Sequence, residues 1–335
     1  MESPKLRGVN LGGWLVIEKW MTPTLFAGTS AEDEYTFMQT EGAAAKLSHH
    51  RDSFITESDF KWMSKHGINA VRIPVGYWVL SDTAPFISAV THLDWAMKTA
   101  LAHNIQVIID LHALQGSQNG FDHSAKIGPA EWFNNSEYRQ SSLDVLEMIA
   151  KRYKDYKNFW GLQIINEPKV GILHLTLRRF YKDAYARLTP ILHTHTRIIF
   201  SDAFSPRLFS GILKHRTHPV VMDVHLYHMT KLFAQFFSLD WYYRVLQRRK
   251  KLLTRLSRSQ PVIIGEWSGA LRQTAYDRIP QPRHDELTKD YIAHQLSIYE
   301  DVIGWFYWNY KTEKPGVWSF KSQVDDGVIN LHYTD

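Results

Sequence analysis

Two glutamates each close an apolar run: Glu167 ends Phe159-Trp-Gly-Leu-Gln-Ile-Ile-Asn-Glu-Pro168, and Glu266 ends Pro261-Val-Ile-Ile-Gly-Glu-Trp267. A carboxylate at the tip of a buried strand loses hydration, a cost that chemistry at that point would justify. Two such tips suggest a hydrolytic pair, in which one carboxylic acid protonates a leaving oxygen and one carboxylate attacks a sugar carbon. At about 5 Å the pair cannot easily ionise together. The nucleophile should then be the carboxylate beside Arg72, and the acid the one without a cationic partner.

Other polar residues stand at similar tips: Arg72, His112, Asn166, Asp202, His225 with Tyr227, and Trp308. Asn166 offers a donor and an acceptor to a sugar hydroxyl, and Tyr227 is expected to hydrogen-bond the nucleophile. Asp110-Leu-His112 and His225-Leu-Tyr-His228 raise a metal reading, but no His-x-His lies on a strand and His193-Thr-His195 falls at a helix end. No metal and no cofactor is expected; His112 and His225 are read as partners of substrate or acid, and His49-His50 as surface. Gly8-Val-Asn-Leu-Gly-Gly13 is neither a P-loop nor a dinucleotide fingerprint. Ser268 lacks a nucleophile-elbow context.

The elements that must carry these tips alternate short apolar runs with amphipathic stretches, the pattern of βα units. Strands are expected near 7–10, 70–74, 106–110, 161–165, 197–201, 220–224, 262–265 and 303–307. Helices are expected over 57–65, 92–103, 137–153, 176–193, 206–213, 239–256 and 285–300. Eight strands with seven helices between them fit a (β/α)8 TIM barrel, α/β in class, with the polar tips converging on the C-terminal rim. The whole chain, 1–335, is read as one catalytic domain, since no linker, low-complexity tract or repeat interrupts it.

Composition narrows the class further. With 44% hydrophobic residues among 335, a large core is available. The net charge of +5 is not clustered as in nucleic-acid binders. Its densest run, Arg244 to Arg255, alternates basic and apolar residues at helical spacing and reads as a solvated face. The absence of cysteine excludes disulfides, thiolate metal sites and thiol nucleophiles. Aromatic content of 13%, with 12 Trp, suits either sugar stacking or core filling. Residues 1–7 carry no apolar signal region, so a cytoplasmic location or secretion with a leader removed are both open. No run is long enough to span a membrane. The expected partner is a saccharide, with no nucleic acid, and the expected state is a monomer.

The chain resembles glycoside hydrolase family 5, and within it the exo-β-1,3-glucanase group. The likeness runs nearly end to end through Arg7-Gly-Val-Asn-Leu-Gly-Gly-Trp-Leu-Val-Ile-Glu18, Asn69-Ala-Val-Arg-Ile-Pro-Val75, Asp110-Leu-His112, Gly116-Ser-Gln-Asn-Gly-Phe-Asp122, Ile165-Asn-Glu-Pro168, Gly265-Glu-Trp-Ser268, and Trp305-Phe-Tyr-Trp308 with Lys311-Thr-Glu313. The resemblance implies Glu167 as acid/base, Glu266 as nucleophile, and retention of anomeric configuration. It implies a shell of Arg72, His112, Asn166, His225, Tyr227 and Trp308 around the reacting sugar. Glu18 and Asp122 match positions that hold hydroxyls of a terminal glucose, and Phe121 matches one face of an aromatic clamp. The second face is expected after Tyr227, at or near Thr230, with Phe233, Phe236 and Phe237 close by. The expected activity is a retaining exo-β-1,3-glucanase. The alternatives are β-1,6- or β-1,4-glucan hydrolysis, glycolipid or aryl β-glucoside cleavage, transglycosylation, a metal-dependent barrel hydrolase, and a non-catalytic carbohydrate-binding barrel.

Overall fold

Runs rich in β-branched residues, such as Val71 to Val75, Val107 to Ile109 and Val262 to Ile264, become parallel strands buried on both faces. The strands are Leu6–Asn10 (β1), Ala70–Gly76 (β2), Gln106–Ala113 (β3), Phe159–Gln163 (β4), Arg197–Ser201 (β5), Val220–Leu226 (β6), Val262–Trp267 (β7) and Gly304–Tyr307 (β8). They close in sequence order into a parallel barrel, with β1 paired to β8. This computed structural model describes residues 4–169, 171, 174–213, 216–228, 239–272, 275–276 and 280–331.

One side chain from each strand fills the lower barrel: Leu6, Ala70, Ile108, Trp160, Ile199, Val221, Ile263 and Phe306. Alternate residues, among them Val9, Val71, Ile73, Val107 and Ile109, pack outward in the main core. Gly8 is required at one tight point, because a Cβ there would lie 2.2 Å from the Phe306 ring. Above this apolar plug the interior turns polar, with Asn10, Arg72, Asp110, Gln163 and Asp223 fully buried.

The helices are Glu34–Phe37 (α1), Ala43–Phe54 (α2), Glu57–Lys65 (α3), Val90–Ala102 (α4), Ser136–Tyr153 (α5), His174–Leu188 (α6), Pro206–Phe209 (α7), Leu239–Ser257 (α8), His284–Tyr299 (α9) and Phe320–Asp325 (α10). Local chemistry sets several ends. Thr56 and Asp59 form a capping box at α3, and Asn135 accepts from Glu137 N and Tyr138 N at α5. α6 stops at Leu188, short of the expected 193, because Pro190 disfavours helix in the residue before it. α7 ends at Phe209 rather than 213, with Gly211 left-handed at φ 74° soon after. α1, α2 and α10 were not expected; α2 buries only Ala43, Leu47 and Arg51, too thin a stripe for periodicity to register. On α8 the basic side chains of Arg244, Arg248, Lys250, Lys251 and Arg255 are exposed over buried Tyr242, Val245, Leu246 and Leu253. Among the described residues no helix is long and apolar enough to cross a membrane.

Strand ends matter most for the site, and here expectation and structure differ. β3, β6 and β7 run further than expected, so His112, His225 and Glu266 lie within strands. β4 stops earlier, at Gln163, so Glu167 stands on an irregular segment beyond it. The register slips between Val224 and His225, and again between Ile264 and Trp267, so bulges re-aim the side chains around Glu266.

Candidate active site

At the C-terminal rim a cavity of about 610 Å3 is lined by Glu18, Trp20, His112, Phe121, Asp122, His123, Asn166, Glu167, Phe204, Tyr227, Glu266, Trp308 and Trp318. Nine of these are expected site residues; the other two, Arg72 and His225, lie buried around the two carboxylates. Depressions of about 840 and 890 Å3 elsewhere, lined by residues such as Arg197 with Glu300 and Lys65 with Asp325, contain neither Glu167 nor Glu266.

Arg72, on β2 and 0% exposed, organises the floor. Its Nε donates to Gln163 Oε1 (2.8 Å), Nη1 to Asn10 Oδ1 (2.8 Å) and Glu266 Oε1 (3.0 Å), and Nη2 to Asn166 Oδ1 (2.7 Å). Nη2 also meets Asp110 Oδ2 at 2.9 Å. A buried guanidinium is tolerable only when paired and hydrogen-bonded in this way. Glu266 is held on its other oxygen as well, since the Tyr227 hydroxyl donates to Oε2 at 2.8 Å.

Glu167 has a different partner. His225 Nδ1 lies 2.6 Å from Glu167 Oε1, and His225 Nε2 lies 3.1 Å from Asp223 Oδ2. Asp223 also accepts from Gly265 N at 2.7 Å, which works because position 265 has no side chain; a Cβ would sit 2.2 Å from Asp223 Oδ1. Burial opposes charge on His225, but Glu266, Asp223 and Glu167 around it raise its pKa well above the usual histidine range. These three carboxylates favour the protonated ring. Arg72 lies beside Glu266, as expected, while His225 faces both glutamates and is the nearer to Glu167.

Oxygens of Glu167 and Glu266 and a ring nitrogen of His225 all lie within 4.8 Å of one another. Burial pushes the Glu167 carboxyl up, but the His225 imidazolium outweighs it and draws the group down to about 2. Burial pushes Glu266 up to about 7, with His225, Arg72 and the Tyr227 hydroxyl opposing and the Glu167 charge reinforcing. Groups this close titrate together rather than singly.

His112 is the neutral member. Burial and the nearby Arg72 hold its pKa well below the usual value. Nδ1 donates to Asp110 Oδ2 at 2.6 Å, leaving Nε2 to face the Asn166 amide nitrogen at 3.3 Å. Its ring stacks parallel to Trp308 at 5.7 Å. Asp110 is itself raised, to about 7, chiefly by burial. Asp202, another expected tip, stays behind the wall; its carboxylate accepts from Phe204 N at 3.0 Å.

The Gly116-to-Asp122 loop acts as a bracket. Gln118 Nε2 donates to His112 O (2.6 Å) and Asn166 O (2.9 Å), and Asn119 Nδ2 donates to Glu167 O (3.0 Å). What they hold is strained, because Glu167 has φ 40°, a left-handed conformation costing a non-glycine residue about 1–3 kcal/mol. On the far wall Glu18 is buried and accepts from Trp20 Nε1 at 2.8 Å. Burial, with Asp122 nearby, raises its pKa well above normal.

At the mouth Phe121 and Phe204 are each 59% exposed, an unusual state for large apolar side chains. Ala203 and Phe204 are both left-handed, at φ 48° and 55°, so the backbone is strained where it presents this ring. Phe204, Trp20, Trp318 and His123 escaped the sequence reading, and only the crowding of aromatic residues hinted at them. The expected second clamp at Thr230, Phe233, Phe236 or Phe237 lies outside the described residues. His50, expected at the surface, is half-buried with Nε2 2.7 Å from Gly13 O, and burial lowers its pKa to about 4.

The chain is similar to known proteins over most of its length. Residues 31–314 match the family described as Cellulase (glycosyl hydrolase family 5). A probable glucan 1,3-beta-glucosidase A of Emericella nidulans is 34% identical over 99% of this chain and 92% of its own. Glucan 1,3-beta-glucosidase 1 of Schizosaccharomyces pombe is 32% identical over 99% and 89%. Among solved structures, rutinosidase from Aspergillus niger superposes with a TM-score of 0.81 at 21% identity over 97% of this chain and 98% of that one. Endo-glycoceramidase II from Rhodococcus sp. gives 0.60 at 15% identity, over 95% and 75%. At such identities the structural likeness speaks for the barrel alone.

Proposed function

We propose, for a chain that belongs to glycosyl hydrolase family 5 and is a glycoside hydrolase, that Glu266 is the nucleophile and Glu167 the acid/base of a retaining β-glucosidase. The observation that carries this reading is the approach of the two carboxylates to within 4.8 Å, with Arg72 paired to Glu266 and His225 lying closer to Glu167 (2.6 Å) than to Glu266 (3.4 Å). That separation suits double displacement and leaves no room for the water an inverting enzyme places between its carboxyls. Arg72 cannot lose its charge, so it favours an ionised Glu266 throughout the reaction. His225 can lose its proton, so it suits the group that must gain and give one.

In the first step Glu266 attacks the anomeric carbon while Glu167 protonates the departing glycosidic oxygen, breaking that bond and leaving a glucosyl ester on Glu266. In the second, Glu167 takes a proton from water as the water oxygen attacks the same carbon, releasing glucose and free Glu266. Asn166, His112 and Trp308 surround the sugar. Glu18 and Asp122 face its far hydroxyls, and Phe121 and Phe204 flank the entrance. The names of the relatives, together with acidic and aromatic closure of the far wall, support exo cleavage of β-1,3-glucan. The exposed Phe121 and Phe204 rings support a second reading, in which an aryl β-glucoside places its aglycone between them.

Glu167, His225 and Glu266 are also spaced to hold a cation. Hydrogen bonding accounts for them better, since both His225 nitrogens face carboxylates and Arg72 would repel a dication at Glu266. Incubation with laminari-, cello- and gentio-oligosaccharides and aryl β-glucosides, with the first-formed anomer read by NMR, tests the assignment. Release of β-glucose, fastest from the 1,3-linked series and unchanged by chelator, is expected. An α-anomer product, or chelator-sensitive turnover, would overturn it.

A further inference from the structure

His123 sits beside the oxygen of Glu167 that His225 does not hold. His225 takes Oε1, while Oε2 has His123 Nε2 at 3.5 Å. The imidazole is fixed in place: it stacks on Phe121 (5.6 Å between centroids, 25°) and lies edge-on to His112 (5.5 Å, 67°). Its backbone is a short turn, Asp122–Ser124, closed by Ala125 N to Asp122 O at 2.8 Å and by Ser124 Oγ to Phe121 O at 2.6 Å. Nδ1 is buried and, among the described residues, has no hydrogen-bond partner. A proton there would be a buried unsatisfied donor, so the tautomer with hydrogen on Nε2 is favoured, and that hydrogen faces Glu167.

We propose that His123 is a positioning residue for proton transfer by Glu167, acting on Oε2 through Nε2–H; the inference rests on the acid/base role of Glu167 given above. A gap of 3.5 Å is long for a hydrogen bond. Such contacts tighten when substrate fills the site and excludes water. As Oε2 passes its proton to the leaving oxygen it becomes anionic, and Nε2–H stabilises the charge at the moment it develops. No covalent change occurs at His123. Because Phe121 stacks on the same ring, an aglycone pressed against Phe121 would also seat the imidazole, coupling aglycone binding to protonation. The other groups facing Glu167 are His225 from β6, His112 and Asp110 from β3, Glu266 from β7, Tyr227 after β6 and Glu18 after β1. Among the described residues, only His123 approaches Oε2 from the loop that bears Phe121.

Leaving-group dependence separates this role from a structural one, because kcat/KM with a 2,4-dinitrophenyl β-glucoside needs little acid assistance and with an alkyl β-glucoside needs it fully. His123→Phe keeps the stacking and removes the N–H. It should lower kcat/KM on the alkyl glucoside by about 10- to 100-fold while leaving the dinitrophenyl substrate within about threefold, and His123→Gln should recover part of the loss. Equal losses on both substrates, or none on either, would overturn the proposal, and thermal melting confirms that each variant is folded. Glu167→Gln, run in parallel, must show the same discrimination more steeply. Its failure to do so would count against the acid/base reading, whereas its success with an indifferent His123→Phe would defeat this inference alone.

Discussion

Replacing Tyr227 with Phe removes one hydrogen bond, and the structure fixes both the direction and the scale of the result. The hydroxyl donates to Glu266 Oε2 at 2.8 Å and so favours the ionised carboxylate. A hydrogen bond to a charged group contributes about 1.5–3 kcal/mol, and each pKa unit corresponds to about 1.4 kcal/mol. Loss of the bond should therefore raise the Glu266 pKa by about one to two units. Arg72 on Oε1 and His225 3.4 Å from Oε2 remain, so the lower end, about one unit, is expected. Glu266 must be ionised to attack. The rising limb of kcat/KM in the unaltered enzyme should thus follow its raised carboxyl, at about 7. The falling limb should report loss of the proton shared by His225 and Glu167, above the usual histidine range. Tyr227→Phe should move the rising limb to higher pH and leave the falling limb in place. Profiles of kcat/KM on an aryl β-glucoside over the stable pH range measure both limbs. A rising limb that stays put or moves to lower pH would refute the assignment of Glu266 as the group that must lose its proton.

Two further outcomes follow from other parts of the site. Asn119→Ala deletes the bond to Glu167 O, so the strained φ of 40° can relax; kcat on alkyl glucosides should fall about fivefold to tenfold for a loss of about 1 kcal/mol, with KM nearly unchanged. Gly265→Ala places a methyl group 2.2 Å from Asp223 Oδ1 and displaces that carboxylate from His225; a stability loss of about 1–3 kcal/mol, read by denaturant unfolding, should accompany loss of activity.

The barrel was legible because its strands are nearly continuous apolar runs with polar residues at their ends, a pattern that needs no tertiary information. The placement of Glu167 and Glu266 at the ends of apolar runs was legible for the same reason, although Glu167 stands beyond its strand on an irregular segment. What could not be read was support that crosses between elements. Gln118 and Asn119 were visible only as part of a motif, and their grip on the Asn166–Glu167 backbone depends on a loop folding back across β4. Asp223 and Gly265 were a buried acid and an ordinary strand glycine until the β6–β7 register brought them together. Phe204 was hidden because two successive left-handed residues turn it outward, and nothing in Asp202-Ala-Phe204 announces that conformation. α1 and α2 were missed because α2 has no broad apolar stripe, yet they anchor the segment bearing Glu18 through Glu34, which accepts from Ile17 N at 2.9 Å and pairs with buried Arg51 at 3.5 Å.

In the proposed mechanism Glu266 forms a bond to the sugar while Glu167 handles the proton. Trapping with a 2-deoxy-2-fluoro-β-glucosyl fluoride, whose ester turns over slowly, followed by digestion and mass spectrometry, reads the bonded residue directly. A stoichiometric fluoroglucosyl adduct on Glu266, in the peptide spanning β7, is expected. An adduct on Glu167, or turnover of the fluoride with no covalent species and an inverted product, would contradict it.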